Sequence, residues 1–249
     1  MPVKKTVAGR IELDETKSTN NYAMQLIRDE KAEDGIVIST RHQTAGKGQR
    51  GKSWITPPGT AITMSYIMKA DFLPPGAYFQ LLTTTAVAVR NWAARYIGEE
   101  ETKIKWPNDL FWRDRKAGGI LVENILRGEA WKWAVIGIGI NIQQSNFPSV
   151  IGNPVSFFQI TGKTYDINTL TEELANTLKD TITQLKTSGF ENLLQEYNHT
   201  LWKKDTIATL QYGTAQIQGK IAGVGADGML IVRGNEEYRF TFQEVSWVI

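Results

Sequence analysis

The stretch from Thr102 to Ile142 most limits what this chain can become. It reads TKIKW, GILVENIL and WKWAVIGIGINI, with turn residues at PND, DRKAGG and RGEA. Short apolar, β-branched runs bounded by Gly, Pro, Asn and Asp form strands, so a meander of three or more strands is expected here. A sheet must bury at least one face, and the flanking sequence offers the covers. Ser18 and Thr19 can cap a short helix with Ala23, Leu26 and Ile27 on its apolar side, ahead of the strand-like GIVIST that Gly35 opens. Pro74 and Pro75 start a helix carrying Phe79, Leu82, Ala86 and Val89 and stopping at Gly98. Leu170, Leu174, Leu178, Ile182 and Leu185 mark one amphipathic helix, and Phe190, Leu193, Leu194 and Tyr197 a second after Gly189. The run AITMSYIM alternates Ile62, Met64, Tyr66 and Met68 with mostly small or polar residues, the pattern of a half-buried strand.

From about Lys203 the texture changes to short β segments, DTIATLQ, AQIQGKIAGV, GMLIVRG, EYRFTF and VSWVI. Such closely spaced strands suggest a small SH3-like barrel, which buries too little to stand alone and should lean on its neighbour. The expected architecture is α+β: residues 1–202 form a mixed or antiparallel sheet with flanking helices, and 203–249 form the appended barrel. With 249 residues, 41% of them hydrophobic, the chain can fill both cores.

Composition excludes more than it assigns. The 28 Lys and Arg against 26 Asp and Glu leave a formal charge of +2, so no global field draws the chain to nucleic acid or an acidic membrane. Without cysteine there is no disulfide, thiolate nucleophile or cysteine-ligated metal, and the isolated His42 and His199 do not make a zinc site. The N-terminal segment is charged where a signal peptide needs an apolar run, and no stretch reaches the length of a membrane span. A cytoplasmic setting is expected.

The segment TRHQTAGKGQRGKSW holds Gly46, Gly48 and Gly51 among Arg41, Lys47, Arg50 and Lys52. Its glycines spell the dinucleotide pattern, and GKGQRGKS from Gly46 to Ser53 satisfies the phosphate-loop pattern with Lys52 and Ser53 in the diagnostic positions. Both patterns require a helix to follow. Trp54, Ile55, Thr56, Pro57, Pro58 and Gly59 do not continue one, because proline lacks the backbone donor a helix needs. No apolar strand ending in Asp supplies the second half of an NTPase site either. What remains is a cationic, glycine-rich loop leading into another strand, suited to a phosphate or equally to a solvated surface.

KSTN at 17–20, QTAGKGQRGKSW at 43–54, KWPNDL with DRKAGGILVE from 105 to 123, and GIGINI at 137–142 together resemble, in order and spacing, the catalytic domain of biotin protein ligases. The C-terminal segment is similar to the family's small β-barrel, so the resemblance covers nearly the whole chain. It implies the class II synthetase-like fold of biotin and lipoate ligases and an ATP-dependent ligase activity. The biotin carboxylate would attack the α-phosphate of ATP with loss of pyrophosphate. A lysine of a biotin carboxyl carrier protein would then take the biotinyl group from biotinyl-5'-AMP. Because the substrates supply the nucleophiles, such an enzyme needs positioned cations and Mg²⁺ rather than a Ser-His-Asp set.

By the same resemblance, Ser18, Thr19, Asn20 and Gln43 hydrogen-bond the ring end of biotin, while Gly46 and Gly119 let backbone approach it. Lys47 and Arg50 clamp phosphate and carboxylate oxygens. Lys105 bridges the carboxylate and the α-phosphate, Asp109 orients a lysine or helps the incoming amine lose its proton, and Lys116 meets the biotin carboxylate. Asn108, Asn141 and Trp54 belong to the nucleotide, and no residue is assigned as a metal ligand. Each role has a plain alternative: helix capping for Ser18 and Thr19, a solvated loop for Lys47 and Arg50, and a hairpin turn for Pro107, Asn108 and Asp109. Lys116 reads equally as a surface lysine, Asn141 as an internal hydrogen bond, and Trp54, Trp106 and Trp112 as packing.

Gln49 stands where many family members carry a second basic residue, so a looser hold on the adenylate is expected unless Lys52 compensates. Only 16 residues precede KSTN, where some members carry a DNA-binding module, so neither a repressor role nor a nucleic-acid partner is expected. A homodimer is compatible with the sequence. The competing readings are a lipoate–protein ligase on a similar fold, a non-catalytic biotin or nucleotide sensor, and a phosphate-loop NTPase.

Overall fold

The structure, a computed structural model, describes residues 3–7, 9–148 and 153–248. In chain order the first strands are β1 (Val3–Val7), β2 (Arg10–Thr16), β3 (Val37–Gln43), β4 (Ala61–Lys69), β5 (Thr102–Lys105), β6 (Asp109–Trp112), β7 (Arg115–Arg127) and β8 (Ala130–Asn141). They form one eight-stranded sheet in the order β1-β2-β3-β4-β8-β7-β6-β5. The β2–β3 pair is parallel and the others are antiparallel. A parallel pair needs a crossover, which the helix α1 (Thr19–Arg28) supplies. The remaining helices are α2 (Tyr78–Ile97), α3 (Phe157–Thr161), α4 (Ile167–Ser188) and α5 (Glu191–His199).

The expected meander of three or more strands is present, with four. DLFW forms its own strand, and DRKAGG is not a turn: the chain reverses at Arg113 and Asp114, and Arg115 already belongs to β7. AITMSYIM is a strand, but it is buried on both faces from Ala61 to Met68 rather than half-buried. Its place between β3 and β8, with helices on either side, leaves neither face to solvent. The helix expected at Pro74 begins at Tyr78, and Pro74 to Ala77 make a turn instead. The strands β1 and β2 and the short helix α3 have no counterpart in the sequence reading.

Strand alternation divides the core in two. Ile62, Met64, Tyr66 and Met68 of β4 face a large core with α2 and α4, where Trp92 lies fully buried and stacked on Phe157 at 5.5 Å. Ile67 faces the other way, joining Leu13, Ile38 and Val135 beneath Ala23 and Ile27 of α1. One short helix therefore covers only part of that second face, and the rest is available for a site.

The C-terminal segments form a second sheet of five antiparallel strands, β9 (Ile207–Tyr212), β10 (Ala215–Val224), β11 (Leu230–Arg233), β12 (Glu237–Phe240) and β13 (Val245–Trp247), in the order β12-β11-β10-β9-β13. Ile249, the last residue of VSWVI, lies outside the described residues. The second sheet does lean on its neighbour. Trp106 Nε1 donates to the carbonyl of Gly228 at 3.1 Å, and Asn198 bonds both the carbonyl and the N–H of Val224, at 2.9 and 2.7 Å. Among the described residues no helix is long and apolar enough to cross a membrane.

Candidate functional site

The site is built on the face that α1 leaves open. Directly opposed residues in a sheet share a face, so the registers Lys105↔Asp109, Asp109↔Gly119, Gly119↔Gly139 and Gly139↔Thr63 draw one row across five strands. One step along, Leu121, Gly137 and Ser65 form a second row. The period-two spacing of GIGINI thus removes the side chain from this face twice. A Cβ on Gly137 would come within 2.4 Å of Asn20 Oδ1, and one on Gly139 within 2.5 Å of Trp54 Cε2. Both α1 and the loop after β3 therefore sit directly on bare backbone. Between them lies an open cleft.

At one end of the cleft the first turn of α1 carries a buried polar network. Thr19 donates from its N–H and hydroxyl to Gln43 Oε1, at 2.8 and 3.2 Å. Ser65 Oγ reaches Thr19 Oγ1 at 2.7 Å and contacts Asn20 Oδ1. Asn20 Nδ2 donates to Glu123 Oε2 at 2.7 Å, and the other carboxylate oxygen lies 3.8 Å from Lys47 Nζ. Ser18 occupies the N-cap position, yet its hydroxyl makes no capping bond although it is only 2% exposed. Trp54 Nε1 is buried with no partner. A buried donor such as the Trp54 indole N–H is costly unless something accepts from it, so the cleft has unfilled hydrogen-bonding capacity.

The loop folds back as a small hairpin. Ala45 N–H bonds the carbonyl of Lys17 at 2.8 Å, Trp54 N–H that of Gly46 at 2.9 Å, and Lys47 bridges Ser53. Gly46 is required by contact: a Cβ there would stand 2.3 Å from the carbonyl oxygen of Trp54. The tip, Gln49–Gly51, is a single 3₁₀ turn with Arg50 in left-handed backbone, and Lys52 is extended. No helix follows Lys52 and Ser53, which removes the phosphate-loop reading.

At the other end is a cluster of lysines. Lys116 Nζ donates to Asp109 Oδ1 at 2.6 Å. Burial pushes the Lys105 ammonium down to about 8; Asp109 opposes that shift, while Lys116, Lys203 and Lys52 add to it. A lysine short of both water and counter-charge favours an arriving anion.

Of the residues singled out from sequence, Ser18, Thr19, Asn20, Gln43, Lys47, Trp54, Asn108, Asp109, Lys116 and Gly119 line this one cleft. Lys105 stands beside it, in register with Asp109. Arg50 does not line it: the side chain is exposed, with its guanidinium 5.6 Å from the Phe242 ring centroid. Asn141 is engaged elsewhere, donating to the carbonyl of Val155 at 3.2 Å and accepting from Gln144 at 3.1 Å, which matches its internal-bond alternative. Asn108 lines the cleft while donating to the carbonyl of Ile120 at 2.7 Å. Gln49 lines it as well. Ser65, Glu123, Gly137 and Gly139 were not singled out. For the two glycines a signal was present in the period-two spacing of GIGINI.

Residues 13–141, more than half of the chain, match the family model described as the biotin/lipoate A/B protein ligase family. The chain is 31% identical to the bifunctional ligase/repressor BirA of Salmonella typhimurium over 86% of its own length, and spans 66% of that relative, just under two thirds. It is 28% identical to the biotin--[acetyl-CoA-carboxylase] ligase of Paracoccus denitrificans, covering 89% of this chain and 93% of that one. In fold it resembles the biotin protein ligase from Aquifex aeolicus solved in complex with biotin and ATP, with a TM-score of 0.80 at 22% identity over 96% and 98% of the two chains. The glycine-floored cleft falls within the matched stretch, and the chain belongs to the biotin/lipoate A/B protein ligase family.

Proposed function

We propose that the chain is an ATP-dependent biotin protein ligase. It would form biotinyl-5'-AMP from biotin and ATP, then pass the biotinyl group to a lysine of a biotin carboxyl carrier protein. One observation carries this reading: segments far apart in sequence meet at a single cleft whose two ends differ in chemistry. The end with Thr19, Asn20, Gln43 and Ser65 suits a neutral, hydrogen-bonding ring system. The end with Lys105 and Lys116 suits the carboxylate and the α-phosphate, whose mutual repulsion is the main barrier to the first step. The relatives' names and the ligands of the Aquifex aeolicus structure support the same substrates.

In this reading the biotin carboxylate attacks the α-phosphorus, pyrophosphate departs, and Lys105 stays in contact with the oxygens as charge moves between them. Asp109 holds Lys116 in place and can receive the acceptor amine's proton. Trp54 offers its free indole N–H, and Lys47 leaves Glu123 for the ligand. Arg50 contributes only if the loop tip closes. Among the described residues no group of three or more acidic or histidine side chains could hold a metal. A Mg²⁺ arriving with ATP would supply charge neutralisation at the phosphates. We further divide the chain into a ligase domain, 1–202, and an SH3-like domain, 203–249.

The test is label transfer to an apo carrier domain with ATP, Mg²⁺ and either biotin or lipoate. Biotin-dependent transfer is expected. Transfer with lipoate alone would assign a lipoate ligase, and tight biotin binding without transfer a sensor. A second expectation concerns Gln49, which lines the cleft without a charge. Wild type should release measurable biotinyl-adenylate in the absence of carrier, and Gln49→Arg should cut that release about tenfold, the scale of one charge-assisted hydrogen bond. Release that is undetectable in wild type and unmoved by the substitution would contradict this.

A further inference from the structure

The Lys105 ammonium is seated on aromatic rings. It lies 4.7 Å from the ring centroid of Phe111 and 5.3 Å from that of Trp202, and these rings pack against each other at 5.2 Å. Phe111 follows Asp109 on the same face of β6, and Trp202 stands where the chain leaves α5 for β9. Both are buried. Trp202 meets Trp247 of β13 edge-on at 5.1 Å, and Trp247 Nε1 donates to the carbonyl of Trp106, the residue after Lys105, at 3.4 Å. The Trp202 indole also carries the ammonium of Lys203, 4.6 Å from its centroid.

We propose that Phe111 and Trp202 are positioning residues for Lys105, a two-ring seat that fixes where its charge stands, and that through Trp202 the C-terminal sheet holds that seat in place. The inference rests on the reading of Lys105 as the adenylation cation. A lysine on a flexible four-carbon stem has many rotamers, and bridging two oxygens needs placement to a fraction of an ångström. Ring faces attract a cation without neutralising it, most strongly when water is excluded and the ring is tryptophan. The charged groups facing Lys105 are Asp109, already bound to Lys116, and the cations Lys116, Lys203 and Lys52. Burial and these cations favour the neutral amine. The rings favour the charged form and leave it free for an anion, which a bound carboxylate would not.

The test uses the full chain and three variants, Phe111→Leu, Trp202→Phe and Trp202→Leu. Two quantities are read: the pKa of Lys105 by competitive acetic anhydride labelling with mass spectrometry, and the pH profile of biotin-dependent pyrophosphate release. Phe111→Leu keeps an apolar wall of similar size and removes one ring face. It should lower the charged-to-neutral ratio of Lys105 roughly threefold or more, move the alkaline limb of the rate to lower pH, and reduce kcat more than it raises KM for biotin. Trp202→Phe retains a ring and should stay within about threefold of wild type in rate, whereas Trp202→Leu should fall about tenfold or more. Lys105 reactivity and an alkaline limb unchanged in Phe111→Leu would overturn the proposal, even if stability dropped. So would equal losses in Trp202→Phe and Trp202→Leu. If wild type released no pyrophosphate in response to biotin, the ligase reading would fail, while the labelling would still decide whether the rings hold the charge.

Discussion

Lys105→Ala should slow biotin-dependent pyrophosphate release by about 100-fold to 1000-fold, the usual effect of removing one preorganised charge from a developing transition state. Thermal stability should change little, because the ammonium sits in a place that burial disfavours and its removal leaves no buried carboxylate unpaired: Asp109 keeps Lys116. The pH dependence has a definite sign. Lys105 is held down to about 8, so it is charged below that pH and loses its proton above it. kcat/KM, which reports the free enzyme, should be level below the limb and fall as pH rises through about 8. Lys105→Arg should carry the limb upward, since guanidinium does not titrate in this range. A variant with alanine that turned over at the wild-type rate would remove Lys105 from the mechanism.

Gly139→Val should abolish tight biotin binding while leaving the sheet intact. Valine is at home in a strand interior, and the backbone of β8 at this point needs no glycine conformation, since Gly139 is absent from the positive-φ residues. The obstacle is the Trp54 indole, 2.5 Å from where the Cβ would stand. A rigid indole can answer only by swinging off the sheet, and the loop that carries Lys47 moves with it. Biotin affinity by calorimetry should fall at least about 30-fold, a loss of some 2 kcal/mol, with less than about 1 kcal/mol lost in urea unfolding. Adding Trp54→Gly to Gly139→Val should restore part of the affinity. Unchanged affinity in the single variant would mean that the ligand does not lie on this face.

The meander and the C-terminal strands were legible because their apolar alternation and their turn residues agree. Strand β2 was not: RIELDET is mostly charged, its inward positions Ile11 and Leu13 are few, and it exists because β3 pairs with it across α1. The burial of AITMSYIM on both faces depends on a neighbour on each side, which no local pattern encodes. At the site, residues such as Gln43, Asp109 and Lys116 were recognisable through the resemblance of their motifs to the family's. Ser65 and Glu123 were not, since each is an ordinary polar strand residue that gains meaning only beside Asn20. Arg50 looked like a clamp in sequence, yet the left-handed turn at the loop tip aims it at Phe242. The Phe111–Trp202 seat is wholly tertiary, joining a hairpin strand to the start of the second sheet.

Isotope exchange between pyrophosphate and ATP tests most directly whether one cleft activates biotin. Exchange should be undetectable with enzyme, ATP and Mg²⁺ alone, appear on addition of biotin, and fall about 100-fold or more in Lys105→Ala. Exchange that proceeds without biotin, or answers only to lipoate, would contradict it.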